Sequence, residues 1–318
     1  MWPMDIVPKT EVAPEASFPE EFARYWARVP EKGFFLCLLA AWCVLFEFWG
    51  ISSFNFDTTR PSLFLWMYHA WNMPSMDSSQ GNLIPPVVAV LLWVKRKELA
   101  ASMAGPWWPG LILTGLALVL HILGFLAEQP RVSLVALFFG LYSLVGLAWG
   151  WRTLAASFFP FFLFVFCMPV GIFLDGWTLP LRIFTVKLTA WICGFVLGIP
   201  VMAHGTTLFD ASGKINFDVA AACSGIRSFV ALLAVTTVFA FLAHRSIWKR
   251  AGMIALTIPL VVGCNLIRLL VIVLVRQAFD QEAAMFVHEW FGFVTYSLAI
   301  GCMLAVGHWL REGPPRTA

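Results

Sequence analysis

Long apolar runs separated by short polar segments make up most of this chain. A helix needs about 20 mostly apolar residues to cross the hydrocarbon core of a bilayer, and most of the runs approach or reach that length. The second run is short, and Pro85 and Pro86 near its start predict an irregular beginning. We predict eight transmembrane helices, over residues 34–51, 82–94, 107–127, 132–150, 155–174, 224–243, 251–275 and 287–309.

Basic residues cluster in alternate polar segments between these runs. Because Lys and Arg are retained on the cytoplasmic side of a membrane, the clusters fix the orientation. They all fall on one side if both termini are cytoplasmic, and residues 52–81, 128–131, 175–223 and 276–286 then lie on the extracytoplasmic side. The clusters are Lys95-Arg96-Lys97, Arg152, Arg245 with Lys249 and Arg250, and Arg311 with Arg316.

Residues 177–198 form a further apolar run, but one that carries polar residues at helical spacing. Arg182, Thr185 and Thr189 fall on one helical face. A helix with one polar and one apolar face is typical of a membrane surface. We therefore predict an amphipathic helix in the outer interface; a ninth transmembrane helix is the alternative, and it would move the Arg245–Arg250 loop outside.

Residues 201–222 are the β-like part of the chain. Two short runs, 206–209 and 215–219, flank the glycine-containing segment 210–214, a pattern typical of a β-hairpin. The predicted fold class is therefore all-α integral membrane: a polytopic bundle of about eight transmembrane helices with an interfacial helix and a short extracytoplasmic β-hairpin.

The composition agrees with a membrane protein of one domain. Hydrophobic residues make up 60% of the chain and charged residues 12%, with a mean hydropathy of +0.81, whereas soluble proteins carry roughly 25% charged residues. Membrane lipid is thus an expected partner. The net charge of +3 is distributed between apolar runs, so we expect no nucleic-acid partner. We predict a single transmembrane domain over 33–311 between cytoplasmic tails at 1–32 and 312–318.

Six of the seven cysteines lie in apolar runs without a Cys-x-x-Cys or Cys/His metal spacing, so we expect no metal and no cofactor. Cys223 differs because it lies where a polar segment turns into a transmembrane helix. The unpaired N–H groups and dipole of a helix N-terminus favour a thiolate, as does the nearby Arg227. A small buried cysteine is the alternative interpretation.

Two further residues are unusual for an apolar helix. Arg268 is predicted roughly 10 Å inside the outer membrane surface at 1.5 Å per residue, where a charge is expensive and indicates a functional site; a snorkelling arginine is the alternative. Asn265 lies on the same helical face. His288 opens the last run, and Gly292, one turn later, leaves room for a ligand or another backbone.

The topology places Cys223, Arg268 and His288 at similar depth on three consecutive helices. A nucleophile, a base and a fixed cation are the groups that acyl transfer needs: thiolate attack, proton delivery to the leaving amine and oxyanion stabilisation. A serine protease using Ser224 is one alternative, although Ala222 occupies the position of a glycine in the rhomboid pattern. A transporter or non-catalytic scaffold is another, although no internal repeat is visible.

The chain resembles the exosortase/archaeosortase family over most of residues 80–310. The resemblance rests on short motifs in the family's order and spacing, namely Ala222-Cys223-Ser224-Gly225-Ile226-Arg227, Asn265-x-x-Arg268, His288-x-x-x-Gly292, and Leu197-Gly198-Ile199-Pro200-Val201 with Gly205.

This resemblance implies an enzyme of the bacterial inner membrane, with its active site on the extracytoplasmic side. It implies cleavage of exported proteins at a C-terminal sorting signal, made of a motif such as Pro-Glu-Pro, a transmembrane helix and a basic tail, and transfer to an envelope acceptor. Cys223 is then the nucleophile, Arg268 the transition-state stabiliser and His288 the acid/base. Supporting or substrate-binding roles are expected for Ser224, Gly225, Arg227, Asn265 and Gly292. One departure is Gln80, which stands where many relatives have a histidine.

Overall fold

The computed structural model describes residues 17–52, 60–73, 76, 78–169, 171–210, 216–218, 225–279 and 281–310, with the backbone alone at 171–175, 210, 216–218, 225–227, 281, 285, 288 and 289. Helices dominate this part of the chain. They are α1 (Phe18–Arg28), α2 (Lys32–Phe48), α3 (Leu63–Asn72), α4 (Ile84–Val94), α5 (Arg96–Ser102), α6 (Gly110–Leu126), α7 (Pro130–Trp149), α8 (Trp151–Phe162), α9 (Gly171–Phe195), α10 (Gly225–Ala243), α11 (Ile247–Ala278) and α12 (Gln281–Trp309). Short 3₁₀ turns cover Ser79–Asn82 and Leu163–Cys167.

Helical structure occupies most of each predicted transmembrane run, which confirms an all-α membrane protein. The run 155–174 is the exception to a single helix, because it is divided between α8, a 3₁₀ turn and the start of α9. Three helices among the described residues are long and apolar enough to cross a membrane, namely Pro130–Trp149, Ile247–Ala278 and Trp290–Trp309. A fourth is reached if α1 and α2, which meet at a bend of 100°, form one span. The other apolar helices are shorter, at 10–17 residues. The number of eight spans is therefore not confirmed.

The N-terminal half packs around α7. The indole Nε1 of Trp42 in α2 donates a hydrogen bond of 3.1 Å to the Leu137 carbonyl in α7. Its ring lies against Gly140, where a Cβ would collide with it. Phe46, Leu63 and Leu134 are fully buried in the same cluster, so small and large residues interlock as close packing requires.

The C-terminal half packs α9, α10, α11 and α12 together, with a small sheet against one end of the bundle. One buried cluster joins Val186 of α9, Leu208 of the sheet, Leu269 and Ile272 of α11, and Ala284 of α12. These contacts hold the end of α11 and the start of α12 next to the sheet, near the candidate site.

The predicted hairpin is present, but the sheet has one strand more than expected. Strands β1 (Val201–His204), β2 (Thr207–Asp210) and β3 (Asn216–Asp218) form an antiparallel sheet in the order β1-β2-β3. His204 pairs with Thr207 and Leu208 with Phe217. The β1–β2 turn contains Gly205 at φ +58°, a conformation that glycine adopts without steric cost.

The polar residues of α9 lie on one helical face, as predicted, and this face points toward the protein interior. Arg182 is 6% exposed and Thr189 is fully buried, whereas Trp177 and Phe195 are 81% and 80% exposed. The helix packs on α10 and α11, so its polar face meets protein and its apolar face points outward. The position of α9 in the outer interface stays a prediction.

Helix α1 lies in the segment that the sequence analysis treated as a polar tail. It packs across the turn between α4 and α5, where the Phe18 ring lies tilted against the Trp93 ring with centroids 4.9 Å apart. Glu21 forms an ion pair with Arg96, whose guanidinium also lies 4.3 Å from the Trp93 ring centroid. The N-terminal segment is thereby attached to the first Lys/Arg cluster.

Candidate active site

The segment with the predicted nucleophile leads into α10. Cys223 and Ser224 lie outside the described residues, and α10 is described from Gly225, two positions after Cys223. The side chain of Arg227 also lies outside the described part of the chain. The nucleophilic role of Cys223 and the supporting roles of its neighbours therefore stay predictions that rest on the sequence.

Arg268 reaches from α11 to the backbone of α12 at Gly292. A Cβ built on Gly292 would lie 3.6 Å from both Cζ and Nη2 of Arg268 and 3.7 Å from Nη1. The guanidinium therefore faces the helix at the point where a side chain is missing, with space for one methyl group between them. Gly292 was expected to leave room for a ligand or a backbone, and the Arg268 head group borders this room.

The lengths of the two helices explain why these residues meet. Arg268 lies ten residues before the end of α11 at Ala278, or about 15 Å along the helix axis. Gly292 lies eleven residues after the start of α12 at Gln281, or about 16 Å along the axis. Consecutive packed helices joined by residues 279 and 280 place both residues at the same level.

His288 lies on α12 one turn before Gly292. The helix begins at Gln281, so His288 stands seven residues inside it, just before the apolar stretch Trp290–Trp309 that is long enough to cross a membrane. Residues four apart share a helical face, and His288 therefore belongs to the face of α12 on which Arg268 rests. The structure describes the backbone of His288 and not its side chain.

A small cavity extends inward from Arg268 between α10, α11 and α12. Its volume is about 30 Å³. Asn265, predicted to accompany Arg268, lines the cavity beside it and thus shares its side of α11. The lining also includes polar residues that the sequence analysis did not select, namely Ser228, Thr295 and Tyr296.

Helical spacing is the sequence signal that points to these additional residues. Tyr296 follows Gly292 by four positions and Ser228 follows Gly225 by three, so each lies on the helical face of a residue already selected. Because polar residues are common in apolar helices, this spacing by itself does not identify Ser228 or Tyr296 as site residues. Thr295 is satisfied within its own helix, because its hydroxyl donates to the carbonyls of Phe291 and Gly292 at 3.1 Å.

Gln80 lies in the 3₁₀ turn Ser79–Asn82, which packs against α3, α4 and α10. The residue is 6% exposed, and neither its Oε1 nor its Nε2 has a hydrogen-bond partner among the residues that the structure describes. The turn is held firmly, because the Trp71 indole packs on Gly81 and donates to the Cys167 carbonyl at 2.8 Å. Gln80 is thus a fixed and unsatisfied amide near the helix that follows Cys223.

Among the residues that the structure describes, no three His, Cys, Asp or Glu side chains are grouped to hold a metal ion. His121 is buried and makes a 3.2 Å hydrogen bond through Nδ1 with Ser133 Oγ, so it is satisfied within the N-terminal core. The described chemistry at the outer end of the C-terminal helices therefore centres on Arg268.

The fold and this site define a helical membrane protein in which an arginine lies where three C-terminal helices meet. The family model described as transmembrane exosortase matches residues 71–305. This match covers more than half of the chain, and the chain belongs to the exosortase family. No curated protein and no solved structure matches it significantly.

Proposed function

We propose that this chain is a cysteine-type membrane peptidase and transpeptidase that cleaves the C-terminal sorting signals of exported proteins. The observation that carries the proposal is the position of the Arg268 guanidinium opposite Gly292 of α12, four residues after His288 in the sequence. The third group is the Cys223 thiol, which lies two residues before the start of α10 in the sequence. Membership of the exosortase family supports the same chemistry.

The first half-reaction forms a thioester. The Cys223 thiolate attacks the scissile carbonyl carbon, and negative charge develops on the carbonyl oxygen. Arg268 is permanently charged, and its planar donors suit that oxyanion, because preorganised donors in a low-dielectric site act strongly on developing charge. His288 protonates the departing amine as the C–N bond breaks.

The second half-reaction releases the acyl group. His288 removes a proton from the acceptor, which attacks the thioester carbonyl, and the C–S bond breaks to restore the Cys223 thiolate. In this proposal the acceptor is a component of the envelope, and hydrolysis is the competing outcome. The substrate is a protein with a motif such as Pro-Glu-Pro, a transmembrane helix and a basic tail, as in the archaeosortase and exosortase families.

The proposed location is the bacterial inner membrane, with the active site on the extracytoplasmic side. The Lys/Arg clusters support this orientation, because they leave the sheet and the outer ends of α11 and α12 outside. The basic tail of the substrate would stay in the cytoplasm, and its scissile bond would lie just outside the bilayer.

Paired substitutions test the nucleophile. Cys223→Ala and Ser224→Ala are compared for processing of a membrane-anchored substrate and for trapping of a hydroxylamine-sensitive acyl-enzyme. We expect Cys223→Ala to abolish both and Ser224→Ala to retain both. The opposite pattern would establish a serine protease. Processing that survives both substitutions, or no processing by the wild type, would favour a transporter or scaffold and refute the proposal.

A further inference from the structure

Several polar side chains line the cavity beside Arg268. Asn265 and Tyr296 line it from α11 and α12, and neither side chain makes a hydrogen bond to another residue that the structure describes. Ser228 adds a hydroxyl from α10 at the exposed side of the cavity. Three neighbouring helices thus direct one amide and two hydroxyl groups at the same small space.

The far end of the cavity is apolar. Leu232, Val261 and Ala299 line it, and Ala299 is 2% exposed. Ala299 lies seven residues beyond Gly292, or about 10 Å along α12. The polar groups therefore lie beside Arg268, and the apolar residues close the cavity toward the membrane interior.

The volume identifies the class of occupant. Polar groups away from bulk water are unfavourable unless they form hydrogen bonds. A water molecule needs a cavity of roughly 10–15 Å³ and two to four polar partners. The observed 30 Å³ and its polar lining fit one or two waters, and they do not fit an amino-acid-sized amine.

We infer that this cavity holds the water that hydrolyses the acyl-enzyme, with Asn265 and Tyr296 as its positioning residues. The inference rests on the proposed function and adds to it the identity of one acceptor. The water oxygen attacks the thioester carbonyl carbon, its proton passes to His288, and the C–S bond breaks to give a carboxylic acid and the Cys223 thiolate. Larger acceptors approach from the membrane surface and compete with this internal water.

The test measures how the acyl-enzyme divides between two acceptors. Full-length protein in phospholipid vesicles is given a membrane-anchored substrate and O-benzylhydroxylamine, an amine too large for the cavity, and mass spectrometry quantifies the carboxylic acid and hydroxamate products. Tyr296→Phe and Asn265→Leu remove polar partners of the water. We expect each to lower the ratio of acid to hydroxamate by about tenfold, the effect of about 1.4 kcal/mol in a barrier.

Two further variants separate water binding from general damage. Ala299→Val adds volume at the apolar end and keeps every polar group, so it should also lower the ratio by excluding water. Ser297→Ala is the matched control, because Ser297 follows Tyr296 directly but is exposed on the outer side of α12. It should leave the ratio unchanged.

An unchanged ratio in Tyr296→Phe, Asn265→Leu and Ala299→Val would overturn the inference and leave the proposed function intact. A wild-type protein that forms neither product would instead refute the proposed function. Thermal unfolding in detergent checks that each variant folds, and Tyr296→Phe, which removes a single hydroxyl, keeps the test decisive if Asn265→Leu fails to fold.

Discussion

The guanidinium of Arg268 rests on α12 at Gly292, 3.6 Å from the position that a Cβ would occupy. This distance is ordinary van der Waals contact, so a methyl group fits and a larger side chain does not. The missing side chain at Gly292 therefore leaves space for the charged group that we propose acts on the oxyanion.

We expect Gly292→Ala to retain most activity and Gly292→Leu to lose it. Alanine places its methyl group at contact distance and favours the helix by up to about 1 kcal/mol. Leucine must displace the guanidinium, and loss of an oxyanion donor typically costs about 10²–10³ in rate. Rates of substrate cleavage measure the difference.

Gly301 provides the control for this pair. It lies on the same helix, and a Cβ there would meet nothing within 4 Å. Gly301→Leu should therefore leave cleavage near the wild-type rate. Equal activity of Gly292→Leu and Gly301→Leu would show that Arg268 does not depend on Gly292 for its position.

Arg268→Lys tests whether shape or charge matters at this position. Lysine keeps the positive charge but loses the planar fork of donors, so we expect most activity to be lost, by about 10²–10³ in rate, with the protein still folded. Single-turnover kinetics of thioester formation measure this step. If Arg268→Lys is nearly fully active and Arg268→Ala is not, Arg268 acts as a general positive charge and the directed oxyanion role is wrong.

Gln80→Met should stabilise the protein. The substitution keeps the length of the side chain and removes an amide that is buried without hydrogen bonds. A buried unsatisfied group costs about 1–3 kcal/mol, and its removal should raise the Tm measured in detergent.

Asn82→Leu is the matched comparison for Gln80, because Asn82 belongs to the same 3₁₀ turn and its amide is exposed. It should change the Tm little. A Tm that falls in Gln80→Met but not in Asn82→Leu would show that the Gln80 amide is satisfied in the membrane.

Cysteine labelling tests the orientation of the chain. In a background without native cysteines, Met202→Cys in β1 should react with an impermeant thiol reagent added from the extracytoplasmic side. Met202 is 51% exposed, so the reagent has access. Trp248→Cys, at an 84% exposed position in the Arg245–Arg250 segment, should react only from the cytoplasmic side. The reverse pattern would invert the predicted topology.

The sequence determined those features that depend on local composition and helix geometry. Apolar runs are forced to be helical in lipid because the backbone must satisfy its own hydrogen bonds, and seven of the eight runs each coincide with one helix, whereas 155–174 is divided. Arg268 was identifiable from sequence because a charge in an apolar helix is costly wherever it lies. The hairpin 206–219 followed from its glycine-containing turn, and the motifs around Cys223, Arg268 and His288 indicated the family that the match over residues 71–305 confirms.

Tertiary structure alone decided which surface each side chain meets. The spacing of Arg182, Thr185 and Thr189 predicts a polar helical face equally for a helix at a membrane surface and for one packed on protein, and only packing turned that face inward. The contact of Arg268 with Gly292 and the inclusion of Tyr296 and Ser228 in one cavity likewise depend on the level at which α10, α11 and α12 meet. Those levels are set by contacts between residues far apart in the chain, because helical periodicity fixes the direction of a side chain on its own helix but not the neighbour on that side.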